Sequence, residues 1–195
     1  LNRYNGFEIK VYKSDKYKKG SIVNNYILSL QEDNSNNLWV GTNKGISKIN
    51  LKTDEITNFE CDENGNPFYK VRSILLTERG TLIVITQKNV YLYDEKNNKF
   101  TVALHEQEIF KTEDIVDIKE DKSSNIWVGT TKSLIKVDRN TKEIIQYYSD
   151  DSGSIIKDDK INSILIDKEN NIWVSTSNNG LIKVIIKEGE SNEID

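Results

Sequence analysis

Chemistry in a protein of this length needs groups that attack, move protons or hold a metal, and here they are few. Among 195 residues there is one histidine, His105, and one cysteine, Cys61. A nucleophile needs a base within hydrogen-bond reach and a third group to orient that base. A single imidazole with no partnered Ser or Cys does not supply this. His105 lies in VALHEQEIF, a polar connection, and reads as a solvated loop residue. Zinc takes several nitrogen or sulfur ligands, which one His and one Cys do not provide. No G-x-G-x-x-G or P-loop glycine pattern is present. Carboxylates are plentiful but form no recurring pair of the kind glycosidic acid–base work requires. The turns EDNSNN, EDKSSN and DKENN suggest calcium at first sight, yet each offers too few carboxylates for a full oxygen shell. The expectation is no catalytic residue, no metal and no cofactor.

Composition narrows the remaining classes. The net charge is −4, with both signs interspersed, so there is no basic footprint for nucleic acid and no polybasic membrane patch. Apolar residues make up 36%, low for a thick core and suited to a β architecture rich in polar turns. One cysteine excludes an internal disulfide, which suits the cytosol and disulfide-free exported domains alike. No apolar run reaches the length of a membrane span, and no signal peptide is evident. The chain has no Met and starts at Leu1 inside a strand-like pattern, so we expect a segment of a longer protein.

The groups that remain must be positioned by a repeat. The strings NNLWVGTNKG (36–45), SNIWVGTTKS (124–133) and NNIWVSTSNN (170–179) nearly coincide. Trp39, Trp127 and Trp173 stand 88 and 46 residues apart. Halving the first gap predicts a fourth unit centred on Ile83, in GTLIVITQK (80–88), and four units then recur at 44, 44 and 46 residues. Each unit divides into short alternating runs. Strand a covers 27–30, 71–74, 115–118 and 161–164, and strand b carries the Trp or Ile83. Strand c is GISKIN, NVYLYD, SLIKVD and GLIKVI; strand d is EITNFE, KFTVAL and EIIQYY. Period-two alternation of β-branched and aromatic residues, punctuated by Asn, Gly, Asp and Ser, marks strands and hairpins.

Four antiparallel strands per unit of this length predict an all-β fold, a β-propeller of four-stranded blades. A lone blade leaves both faces wet, so neighbours must stack. Trp39, Ile83, Trp127 and Trp173 are the expected fillers of the blade core. The expected propeller segment is 1–187, followed by a disordered tail at 188–195. Within it, 1–13 holds strands c and d of a split blade, with Asn5-Gly6 as a two-residue hairpin. Complete blades occupy 21–60, 69–104 and 113–148, and 159–187 holds strands a, b and c of the last. That count is one strand more than a closed four-bladed ring needs. The segment either closes through its own termini or is an open arc that self-associates through exposed blade edges.

LNRYNGFEIKVYK, followed by IVNNYILSLQEDNSNNLWVGTNKGISKINLKTDEITNF, resembles the two-component-regulator propeller repeat. The resemblance covers nearly the whole chain; it is strong around Trp39, Trp127 and Trp173 and poor around Ile83. It implies the extracytoplasmic part of a bacterial membrane receptor, whose membrane helix and output domain lie in other residues. The implied role is non-catalytic ligand sensing. A protein–protein scaffold is the alternative. A streptogramin-lyase-like enzyme is a weaker one, because that reaction relies on a histidine, acidic groups and a divalent metal within one complete ring.

In a propeller, strand a lines the central channel, and the d–a and b–c loops form one face. Asn25, Tyr69, Glu113 and Asp159 recur in phase at the mouth of strand a and are the expected ligand-binding ring. Tyr26, Lys70, Asp114 and Lys160 follow directly. Such a ring mixes hydrogen-bonding, aromatic and charged groups, as an oligosaccharide or peptide would require. Loop residues that cap strand ends would show the same types. The expected partners are a small ligand of this kind and a second copy of the chain, with no nucleic acid.

Overall fold

A computed structural model describes residues 1–87, 89–103, 114–138, 144–148 and 159–184. His105, Glu113 and the tail 188–195 lie outside the described residues. All regular structure among the described residues is β. In chain order the strands are β1 (Asn2–Tyr4), β2 (Ile9–Val11), β3 (Ile27–Glu32), β4 (Asn37–Thr42), β5 (Gly45–Asn50), β6 (Ile56–Phe59), β7 (Ser73–Leu76), β8 (Leu82–Ile85) and β9 (Val90–Asp94). They continue as β10 (Lys99–Val102), β11 (Ile115–Glu120), β12 (Ile126–Thr130), β13 (Ser133–Val137), β14 (Ile144–Tyr148), β15 (Ile161–Ile166), β16 (Ile172–Thr176) and β17 (Leu181–Val184).

The chain divides into two compact units, Leu1–His105 and Glu106–Asp195. The first holds the β1–β2 hairpin and two four-stranded meanders, β3–β6 and β7–β10. The second holds the meander β11–β14 and the three-stranded β15–β17. Every neighbouring pair is antiparallel, so each four-stranded sheet is the a-b-c-d meander of a propeller blade, and β15–β17 is its a-b-c part. Register confirms the repeat residue by residue. Trp39 faces Gln31, Ile83 faces Leu75, Trp127 faces Lys119 and Trp173 faces Leu165. Ile83 therefore occupies the place of a tryptophan.

The turn between strands a and b explains why Asp, Asn and Trp recur together. Asp33 Oδ1 accepts from the backbone N–H of Ser35 and of Asn37, and Asn37 Nδ2 donates to both carboxylate oxygens. The Trp39 indole N–H donates to Asp33 Oδ2 at 2.7 Å. Asp121 with Asn125 and Trp127, and Asp167 with Asn171 and Trp173, build the same arrangement, with indole bonds of 2.9 and 2.8 Å. These carboxylates are committed to N–H donors inside the turn. In the second blade all three positions change together: Thr77, Thr81 and Ile83 stand in for Asp, Asn and Trp, and Thr81 N–H donates to Thr77 Oγ1.

Stacking of blades forms the core of each unit. In the first, Trp39, Ile46 and Phe59 pack against Phe68, Val71, Ile74, Leu82, Val84, Tyr91 and Phe100 of the next blade. Trp39 meets Tyr93 edge-on with centroids 4.6 Å apart, and Phe100 edge-on at 5.9 Å. In the second, Trp127 and Leu134 pack against Ile161, Ile164, Ile172 and Val174. Burying an aromatic side chain of this size contributes a few kcal/mol. Trp39, Ile83 and Trp127 are buried, and Trp173 is half-buried. Gly41 allows the blades to approach: a Cβ there would lie 2.7 Å from Val71 Cγ1 and 2.9 Å from the Val71 carbonyl oxygen.

Two local details differ from expectation. The β1–β2 connection is four residues, since Tyr4 pairs with Ile9 and Asn5–Glu8 form the loop. Asn5 Oδ1 accepts from the N–H of Phe7 and of Glu8, and this side-chain turn replaces a two-residue hairpin. The connection before β7 holds a fourth Asp-Asn turn. Asp62 accepts from the N–H of Asn64 and of Asn66 and from Asn66 Nδ2, and Cys61 bridges Pro67. Phe68 follows at the Trp spacing and is buried against Tyr91.

Candidate functional site

Where strand a begins, the first unit forms a pocket of about 270 Å³ lined by Tyr26, Leu28, Asn43, Lys70 and Arg72. Tyr26 and Lys70 hold equivalent positions in consecutive blades, as do Leu28 and Arg72. Asn43 comes from the turn between β4 and β5. The pocket thus belongs to the face made by the d–a and b–c loops.

Backbone geometry presents these side chains. β3 shifts register between Ile27 and Ser29, leaving Leu28 as the extra residue of a bulge. The shift recurs in β11 between Ile115 and Asp117 and in β15 between Ile161 and Ser163. A bulge re-aims side chains that strict alternation would send elsewhere. Across the blade boundary Lys70 N–H donates to the Asn43 carbonyl and Val71 N–H to the Thr42 carbonyl, at 3.2 and 2.9 Å. Ser29 Oγ donates to the Val71 carbonyl. Lys70 is held at φ 49°. The other non-glycine residues with positive φ are Asn36, Asp54, Asn98, Ser124 and Asn170, mostly Asn and Asp in turns. A lysine in the left-handed region is locally strained, and strain of this kind persists where surrounding bonds fix it.

The site is cationic in an acidic chain. Lys70 and Arg72 both line it, and none of its five residues is a carboxylate. Arg72 Nε is buried and has no hydrogen-bond partner. Tyr26 is 67% exposed and offers an aromatic face beside these charges. An anion and a flat apolar surface are what this set can hold.

The residues of the expected ring have the following surroundings. Asn25 is exposed and its Oδ1 accepts from Ser14 N–H at 2.8 Å, which holds the loop before strand a. Tyr69 is exposed, and neither it nor Asn25 lines the pocket. Asp159, in the other unit, is buried, with 3% of its surface exposed. Its carboxylate accepts from the backbone N–H of Lys160, Ser177, Asn178 and Asn179, so it caps the turn after β16. Burial opposes its ionisation, but hydrogen bonds from Thr176 and from those amides prevail and hold it down to about 2. Glu113 lies outside the described residues, as does His105; Cys61 is exposed. Among the described residues no cluster of His, Cys, Asp and Glu is arranged to hold a metal. Leu28, Asn43 and Arg72 went unnoticed in the sequence. The bulge that aims Leu28 has no residue signature of its own, though Arg72 stands out as a charge at a position where the first blade has Leu28.

Comparison with known proteins follows the same lines. The two component regulator propeller family model matches residues 21–44 and 155–178. No curated protein matches the sequence. Among solved structures, the extracellular domain of a protein described as a hybrid two component system from B. thetaiotaomicron superposes with a TM-score of 0.68 at 22% identity, covering 94% of this chain and 25% of that one. PorZ, a bacterial surface component of the type-IX secretion system of Porphyromonas gingivalis, gives 0.70 at 14% identity, covering 94% and 29%. Catalytically inactive virginiamycin B lyase from Staphylococcus aureus gives 0.58 at 15%, covering 86% and 58%. This chain spans about a quarter of the length of the two-component structure it resembles. Identities this low speak for the fold. No helix among the described residues is long and apolar enough to cross a membrane. With the meanders and the repeated Asp-Asn-Trp turns together, the chain is a segment of β-propeller fold, two stretches of which match the two component regulator propeller repeat.

Proposed function

We propose that this segment is a non-catalytic ligand-sensing part of a bacterial signal-transduction receptor, working outside the cytoplasm. The observation that carries this reading is the pocket at the start of strand a, lined by Tyr26, Leu28, Asn43, Lys70 and Arg72. It lies where two blades meet, so an occupant would touch both and bias their packing. The matched repeats and the likeness to an extracellular two-component domain support the sensor role and its location. An oligosaccharide or a peptide is the ligand class in view. A thermal-shift screen of both classes tests the reading. We expect at least one compound to raise the melting temperature, since a ligand that binds only the folded state stabilises it by mass action.

A second reading is a scaffold for protein association, including a second copy of the chain. The β1–β2 hairpin favours it. Phe7 is 97% exposed, and Tyr4, Ile9 and Val11 are exposed with it. Such a patch marks interaction surfaces. If no small compound shifts the melting temperature while sedimentation shows a concentration-dependent dimer, the scaffold reading prevails.

A further inference from the structure

Resting on the sensing role proposed above, we infer that the Tyr26–Arg72 pocket selects a small carboxylate joined to a ring. Three features lead there. The first is charge: Lys70 and Arg72 line one cavity with no carboxylate among its residues, in a chain of net charge −4. Neither forms an ion pair among the described residues, whereas Lys10, Lys99 and Lys119 do. The second is the buried Arg72 Nε, which lacks an acceptor. An unsatisfied donor is costly, and with no protein acceptor at that nitrogen the Arg72 guanidinium is left to a charge-assisted bond with a carboxylate that enters the pocket. Guanidinium matches carboxylate geometry with two parallel N–H groups, and the Lys70 ammonium adds a point charge beside it. The third is shape. About 270 Å³ suits one ring rather than a long polymer, and Tyr26 with Leu28 supplies an apolar wall for its face. The Asn43 amide completes the site with a neutral donor and acceptor.

The backbone is built to hold the cations in place. The bonds Lys70 N–H to Asn43 O and Val71 N–H to Thr42 O fix the strand start against the neighbouring blade. The strained φ of Lys70 is part of that frame.

The test uses the 195-residue chain at low ionic strength, with two pairs of probes: galacturonate against galactose, and benzoate against benzyl alcohol. Binding is read by amide chemical-shift changes and by calorimetry. We expect at least one acid to shift residues 26–28, 43 and 70–72, and its neutral partner to bind about tenfold more weakly or worse. Which acid responds distinguishes a sugar acid from an aromatic one. Arg72→Gln should lose about tenfold in affinity. Lys70→Asn should also lose affinity while keeping the fold, because Asn tolerates the left-handed backbone. A neutral compound that binds as well as its acid overturns the carboxylate inference and leaves the sensing role intact. If no probe shifts these residues, the inference fails; the screen of oligosaccharides and peptides then decides the sensing role separately. A response of both single variants equal to the parent also overturns it.

Discussion

The Trp39 indole N–H donates to the Asp33 carboxylate at 2.7 Å, tying the core of the first complete blade to the turn that begins strand b. The same carboxylate takes the N–H of Ser35 and Asn37 and the Asn37 amide. One acidic side chain thus orients a large core residue and closes a hairpin. Asp33→Ala removes the acceptor from all of these donors at once. We expect a loss of about 1–3 kcal/mol in urea unfolding, with Trp39 left buried and unpaired at its N–H. Asp33→Asn keeps one acceptor oxygen and should lose less.

The same motif predicts a dependence on acid. Asp167 is held down to about 2, first by the Trp173 indole bond, against burial, and then by Asn171 and its backbone N–H. Its ordinary value is 3.8, so the unfolded chain takes up the proton first as pH falls. The stability this group confers is fully present above pH 3.8 and is lost as pH drops through about 2. Unfolding followed between pH 5 and pH 2 should show stability falling across that window. Asp167→Asn should flatten the slope, and an unchanged slope would remove this role from Asp167.

Blade contact makes a further prediction at Gly41. A Cβ there would stand 2.1 Å from Ser29 Oγ and 2.9 Å from the Val71 carbonyl oxygen. The hydroxyl can rotate away, but the carbonyl belongs to the backbone of the next blade. Gly41→Ala should destabilise by about 1–3 kcal/mol through overpacking. Adding Ser29→Ala should restore only part of this. Full recovery in the double variant would place the clash on the hydroxyl alone.

Sequence periodicity carried most of the fold and less of the site, and particular residues show why. Trp39, Trp127 and Trp173 set the register because each strand b is bound on both sides, and the halved spacing located Ile83. In the second blade Thr77, Thr81 and Ile83 replace all three residues of the motif, whereas Asp62 and Asn66 keep the turn with Phe68 in the place of the indole. The mini-turn at Asp62 was hidden by Pro67 and by the absence of tryptophan, although Phe68 keeps the spacing. At the site, Tyr26, Lys70 and Asp159 alike followed from repeat phase, which gives a residue's position along the blade but not its hydrogen-bond partners. The burial of Asp159 under four backbone N–H groups depends on the fold of the turn after β16, which residue type does not encode.

Lys70 allows strain to be separated from charge. At φ 49° any residue with a Cβ crowds its own carbonyl, at about 1–2 kcal/mol per residue. Glycine escapes that penalty but gives up more freedom on folding, about 0.5–1 kcal/mol relative to alanine. Lys70→Ala keeps the strain and removes the ammonium; Lys70→Gly removes both. If the hydrogen bonds to Asn43 and Thr42 hold the backbone as described, the glycine variant should be more stable than the alanine variant by about 0.5–1 kcal/mol in urea unfolding. Both should have lost the same charge, so any anion response they retain in common must come from Arg72. Alanine as stable as glycine would mean the strand start relaxes out of the left-handed region, and the strained frame around the pocket would then have to be withdrawn.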